Sequence, residues 1–362
     1  MTPSPSVNRL RRHLLAASLG SMAMPAAFAE DVAARNRAFY LYEGADREAR
    51  LVAGAKKEGE FNLYTSLNTR DSGPITDAFE KKYGVKAKLW RSSSEKVLQR
   101  AVTEARAGRF VCDVLETNGP EMEALFREKL LVPFYSPHYK DLPAAAFPKH
   151  RGWVADRFNF FVIGYNTNLV KTADAPKSYE DLLSPRFAGK LGIESGDIDW
   201  FGAMVKLMGD EKGMAYFRKL AQTKPQMRTG HTLMAELLSS GEVPVAVAIY
   251  NHNVEKMALK GAPVKWLPLE PTFGRPNAVG VVERAPNPHA ALLFADFMLS
   301  PEGQTLIKGV NRVPSSLAVD TQLNKFKFEM IDPSITLDEM DRWEGRWNEL
   351  FLNGQKVKKE TE

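Results

Sequence analysis

The strongest constraint on the fold is a regular alternation of two hydrophobic periods. Phe61, Leu63 and Thr65 alternate with polar neighbours, as a half-buried strand does. Ile75, Phe79 and Tyr83 then recur every four residues, the period of a helix face, and Gly84 stops that run. Val85, Ala87 and Leu89 give a second strand. Ser92 to Glu95 opens a second helix with Ser92 and Glu95 at capping-box spacing, and Val97, Ala101 and Ala105 continue its buried face. A third strand is expected over 111–116 and a helix over 120–130. This β-α-β-α-β order predicts a largely parallel sheet with helices on its faces.

The second half of the chain repeats the pattern. Strands are predicted at 160–165, 191–194, 243–250, 264–269 and 278–282, and helices at 199–208, 214–221, 232–238, 289–299 and 302–307. Two such clusters predict two α/β lobes with a cleft between them. Ligands of such sheets sit beyond the carboxyl ends of strands, where helix N-termini point inward.

The N-terminus carries the pattern of a cleaved export signal: basic Arg9, Arg11 and Arg12, a short apolar core from Leu14 to Met24, and Ala27-Phe28-Ala29 as a small-x-small cleavage site. Glu30 is then the expected mature N-terminus. The pair Arg11-Arg12 suits a twin-arginine signal, but Leu10 stands where that pattern prefers Ser or Thr, so the general secretory and twin-arginine routes both stay open. Either route predicts a periplasmic protein. Removing residues 1–29 takes three arginines and no acid, which lowers the net charge from +5 to +2 and leaves 333 of 362 residues. That length suggests two domains, and that charge gives no nucleic-acid footprint. Cys112 is the single cysteine, so no internal disulfide can form, and its apolar surroundings predict a buried thiol.

Candidate ligand-binding residues follow from position. Thr65, Ser66 and Asn68 come just after the first strand and are good polar donors. Ser94 and Glu95 begin a helix. Ser195 and Gly196 lie between a strand and a helix, where their N–H groups can cradle an anion, although Asp197 and Asp199 beside them favour a cation or an amine if they face the cleft. Tyr250, Asn251 and His252 sit between an apolar strand and a helix, and an imidazole there can ligate a metal or donate to an anion. The chain lacks a nucleophile elbow, a His-Glu-x-x-His pair and a phosphate loop. A periplasmic hydrolase or lyase using the same cleft is the alternative, and no activated nucleophile supports it.

Segments spread along the chain carry a family resemblance: Leu63-Tyr64-Thr65-Ser66, Phe79-Glu80-Lys81-Lys82-Tyr83-Gly84-Val85, Ser93-Ser94-Glu95, Tyr165-Asn166-Thr167, residues 182–190, Gly241-Glu242-Val243-Pro244 and residues 294–304. In order and spacing they resemble the periplasmic solute-binding proteins of ABC transporters, in the ferric-iron-binding branch of the two-lobed type II fold. The resemblance implies a monomer that closes on a small ligand and delivers it to an inner-membrane permease, without catalysis. It implies an N-terminal lobe of residues 30–157 plus roughly 272–300, a C-terminal lobe of 158–271, and C-terminal helices from 301 to 362 packed on both. It also implies ferric iron, held with a synergistic anion by a histidine, a glutamate and two adjacent tyrosines. Glu95 matches the glutamate; Asn68 stands at the histidine position, and Asn251 and His252 fall where the tyrosines belong, with Tyr250 one residue earlier. The implied metal ligands are therefore Glu95, Tyr250 and His252. A hard ferric ion prefers phenolate and carboxylate oxygen, so the changed set shifts the expected ligand toward an iron complex or a small organic or phosphorylated anion.

Overall fold

The computed structural model describes residues 26–352, with side chains from residue 32 onward. The basic and apolar parts of the expected export signal and the extreme C-terminal tail lie outside the described residues. Two helices that the periodicity did not reveal come first, α1 (Ala26–Tyr40) and α2 (Arg47–Glu58). The expected alternation follows: β1 (Glu60–Thr65), α3 (Thr69–Tyr83), β2 (Lys86–Arg91), α4 (Ser94–Arg106), β3 (Val114–Asn118) and α5 (Gly119–Arg127). A two-residue strand β4 (Leu131–Val132) leads through a long connection to β5 (Val154–Asn166), which is buried along its whole length. Next come β6 (Leu191–Glu194), α6 (Ile198–Met208), α7 (Asp210–Gln222), β7 (Gln226–Arg228), α8 (His231–Ser240), β8 (Val245–Tyr250), α9 (Asn251–Leu259) and β9 (Val264–Leu267). The chain then returns through β10 (Phe273–Val282), α10 (Pro288–Leu299), α11 (Pro301–Gly309), the short strands β11 (Val313–Pro314) and β12 (Glu329–Met330), and α12 (Pro333–Phe351).

The strands form one curled path, β2-β1-β3-β10-β5-β8-β6-β7. Its two ends repeat one design. In the first half β2, β1 and β3 are parallel, β10 runs against β3, and β4 runs against β10. In the second half β7, β6 and β8 are parallel, β5 runs against β8, and β9 runs against β5. The antiparallel strand of each half has come across from the other, and β5 and β10 pair with one another where they pass. This is the two-lobed type II architecture, with β5 and β10 as hinge strands.

Packing explains the helix register. Phe79 on α3 meets Phe61, Phe294 and Phe297 at ring-centroid distances of 5.5, 5.2 and 5.6 Å. Each such aromatic pair contributes roughly 0.5–1.5 kcal/mol beyond its buried area. In the second half Trp200, Phe201 and Phe217 form the counterpart core, and α12 closes it with buried Trp343 and Trp347.

Two local expectations need correction. The third strand starts at Val114, because Cys112 and Asp113 are used in the approach: Asp113 accepts from the backbone of Asn62 and Asn287. Helix α4 takes Ser93, not Ser92, as its N-cap, with no side-chain cap bond, so the capping box is not formed. Cys112 is buried, and burial pushes its thiol pKa well up, which keeps it unreactive.

Candidate ligand cleft

The carboxyl ends of the strands in both halves converge on one cleft of about 630 Å³. The first half supplies Arg91, Ser93, Glu95, Asn118 and Glu121; the second supplies Glu194, Gly196, Asp199, Thr229 and Gly230. Arg275 enters from hinge strand β10, and Leu337, Met340 and Glu344 enter from α12. The lining has five carboxylates, Glu95, Glu121, Glu194, Asp199 and Glu344, against the three cations Arg91, Lys96 and Arg275.

That surplus of acid is visible in the electrostatics. Glu121 has a sealed Oε2 without a partner, and its pKa is pushed up to about 7 by burial first and by the charge of Glu95 second, with Arg275 opposing. Arg275 is held by Asp199 at 3.1 Å. Burial, then the charge of neighbouring Asp197, raises the Glu194 pKa. Burial holds the Asp197 carboxyl well above its usual range although Arg275 pulls it down.

Ser195 and Gly196 stand at the turn where an anion cradle was expected, and the protein fills that cradle itself. The Gly196 N–H donates to Glu194 Oε2 at 2.6 Å, and the Gly230 N–H donates to Glu194 Oε1 at 2.8 Å. The Ser195 N–H donates to the Arg228 carbonyl at 2.8 Å, while its hydroxyl meets that of Thr229 at 2.9 Å. The indole of Trp347 donates to the Ser195 carbonyl at 2.9 Å and fixes the loop from behind. A resident carboxylate thus satisfies the ends of two loops that each precede a helix.

Tyr250 ends β8. Its ring stacks on His231 at 3.5 Å between centroids and faces His252 at 5.4 Å, with the Arg275 guanidinium 5.3 Å from the ring. Its buried hydroxyl has no partner. Asn251 faces the core, donating to the Leu323 carbonyl at 2.6 Å and accepting from the His252 N–H at 2.8 Å. His252 is buried, and its Nε2 lies 2.7 Å from the Arg312 guanidinium. Burial, then Arg312, pushes its pKa well down, so the ring is neutral and accepts the guanidinium proton.

The residues after β1 belong to the same buried seam. Asn68 is the N-cap of α3: its side chain accepts from the Asp71 N–H at 3.1 Å and donates to the Asp71 carboxylate at 2.9 Å. Asp71 holds Arg312 at 2.7 Å and Lys256 of α9 at 3.2 Å, so Asn68 and His252 are joined through Asp71 and Arg312. The Thr65 hydroxyl donates to Glu116, which pairs with Arg157, and the Ser66 hydroxyl accepts from Thr117 at 3.0 Å. Ser94 is buried in the first turn of α4. Of the expected residues, Glu95 and Gly196 therefore line the open cleft, while Thr65, Ser66, Asn68 and His252 lie in a buried charged seam and Asn251 faces the core. Glu121, Glu194, Arg275, Arg312 and His231 were not singled out in the sequence. His231 had a signal, since it follows a glycine at a helix start; Arg275 had none. A further grouping of metal-capable side chains sits in the second-half wall: Glu194, Asp197 and His231 offer ligand atoms all within 4.8 Å of one another.

Two halves that lend each other a strand and face one cleft define a bilobed binding protein. The chain belongs to the bacterial extracellular solute-binding protein family, whose pattern matches residues 114–333. Its members are solute-binding proteins of transporters, so the chain binds and does not catalyse. It is 25% identical over 291 residues to a putative 2-aminoethylphosphonate-binding periplasmic protein of Salmonella typhimurium, covering 76% of this chain and 82% of the relative. It is 22% identical over 259 residues to the Fe(3+)-binding periplasmic protein of Serratia marcescens, covering 68% and 76%. Among solved structures, iron-bound HitA from Pseudomonas aeruginosa superposes with a TM-score of 0.70 at 20% identity, over 80% of this chain and 99% of that one. AfuA from Actinobacillus pleuropneumoniae, with fructose-6-phosphate bound, gives 0.70 at 21% identity, over 82% and 99%.

Proposed function

We propose that this protein is the periplasmic component of an ABC importer that captures a small organic solute bearing a cationic amine. The surplus of carboxylates in the cleft carries this reading. An ammonium group placed between Glu95 and Glu121 offsets charge that the protein leaves unbalanced, while Arg91 suits an anionic group on the same molecule. The relatives support a zwitterion of this kind, since one is named for 2-aminoethylphosphonate. Glu194 already occupies the loop N–H groups, which removes the donors a free anion would use there. Ferric iron with an accompanying anion is the second reading, favoured by the iron-binding relatives and by the unpartnered Tyr250 hydroxyl.

In this reading the signal is cleaved after Ala29, the mature protein is a monomer, and the lobes divide as 30–157 with roughly 272–300 and 158–271, with residues from 301 onward packed on both. Closure is a population shift, because a solute touching both lobes binds the closed form better. The permease then takes the closed form. Thermal-shift and calorimetric titrations with 2-aminoethylphosphonate, ethylphosphonate and chelated ferric iron test the assignment. The amine-bearing compound should bind at least tenfold more tightly than ethylphosphonate, and ferric iron should give no strong visible band. Equal affinity for the two phosphonates would remove the amine from the reading. An intense visible band lost in Tyr250→Phe would restore iron.

A further inference from the structure

We infer that Glu194, Asp197 and His231 form a binding site for one divalent first-row transition-metal ion, of the zinc or manganese kind, in the second-half wall of the cleft. The fold brings them together from two loops: Glu194 ends β6, Asp197 is the N-cap of α6, and His231 opens α8 after β7. Their ligand atoms lie within 4.8 Å of one another. Zinc holds nitrogen and oxygen at about 2.0–2.2 Å, so ligands across one ion lie at most about 4.4 Å apart. A small tightening closes the site.

Two independent features point to a missing partner. Within the cluster, Asp197 Oδ2 and His231 Nδ1 are sealed from solvent and without hydrogen-bond partners, although His231 Nε2 meets Asp197 Oδ1 at 3.0 Å. Outside it, the Tyr250 hydroxyl is also buried and unpartnered on a ring stacked against the His231 imidazole at 3.5 Å. Buried polar groups in folded proteins are nearly always satisfied, so three such orphans at one place mark an absent ligand. The second shell is built as well. The Gly196 and Gly230 N–H groups orient Glu194 through one lone pair on each oxygen and leave the others available. The nearest cation, Arg275, is engaged by Asp199. One imidazole with two carboxylates favours zinc or manganese over calcium or magnesium, which take oxygen alone. This set differs from Glu95, Tyr250 and His252, because a guanidinium already covers His252 Nε2.

The test uses the chelator-treated full protein with metal alone and no solute, so its outcome is separate from that of the amine reading. Calorimetric titration with Zn²⁺ should show one saturable site, and His231→Ala and Asp197→Asn should each weaken it at least tenfold with circular dichroism unchanged. In the unmodified protein, Mn²⁺ should broaden the His231 imidazole resonances before those of any other histidine. The absence of saturable binding, unchanged affinity in both variants, or earlier broadening of another histidine would overturn the inference.

Discussion

At the scale of single residues, the cleft is defined by charges that lack a counterpart. Glu121 shows this most directly. Its carboxyl titrates at about 7 in the folded protein against 4.5 for the free group, so the folded state holds the proton longer than the unfolded chain. A raised carboxylate pKa contributes stability at low pH and loses it as pH climbs from about 4.5 through 7. A shift of that size corresponds to a loss on the order of 3 kcal/mol. Melting temperatures of the wild type and Glu121→Gln across pH 4.5–7.5 should diverge, with the glutamine variant gaining relative stability as pH rises. Parallel curves would place the Glu121 titration elsewhere. None of this was readable from the sequence, where Glu121 after Pro120 resembles an ordinary helix-start acid. Asp197 and Asp199 could be singled out because they follow Ser195-Gly196 directly, but only the fold brings Arg275 and His231 to them across 76 and 34 positions.

At the scale of elements, the periods of two and four residues placed nearly every strand and helix of the two α/β halves. They missed α1, α2 and α12 and the short strands β4, β7, β11 and β12. Helix α12 hides its buried stripe in two tryptophans, Trp343 and Trp347, among charged neighbours, and Trp343 packs where Gly202 leaves no room for a side chain. Thr65 ends β1 and Ser66 and Asn68 follow it, but their bonding was not legible, because a capping asparagine and a ligand-facing asparagine look alike in sequence. Asn68 is committed to α3: it accepts from the Asp71 N–H and steadies the carboxylate that binds Arg312. Asn68→Ala should therefore lower stability by about 1 kcal/mol in denaturant unfolding, and Asn68→Ser, which restores the cap, should recover most of it. Equal losses in both variants would show that the amide serves something other than the cap.

At the scale of the whole molecule, β5 and β10 permit hinge motion, and α12 ties the two halves together across the cleft. Its tryptophans anchor it to α6 and α7, while Asp338 reaches Arg127 of α5 in the first half. That pair is exposed on both sides, so salt screens it readily. Small-angle scattering should show compaction on solute binding. The rate of solute release should rise with ionic strength in the wild type and much less in Asp338→Asn; an identical salt response would deny the pair any part in opening. The placement of α12 has an optical consequence too. Trp343 packs on Gly202 of the second half and shares α12 with the cleft-lining Leu337, Met340 and Glu344, with its indole N–H on Glu339 at 2.9 Å. The protein therefore carries an intrinsic fluorophore beside the moving boundary, and the emission of Trp343 can report closure in real time without any attached dye.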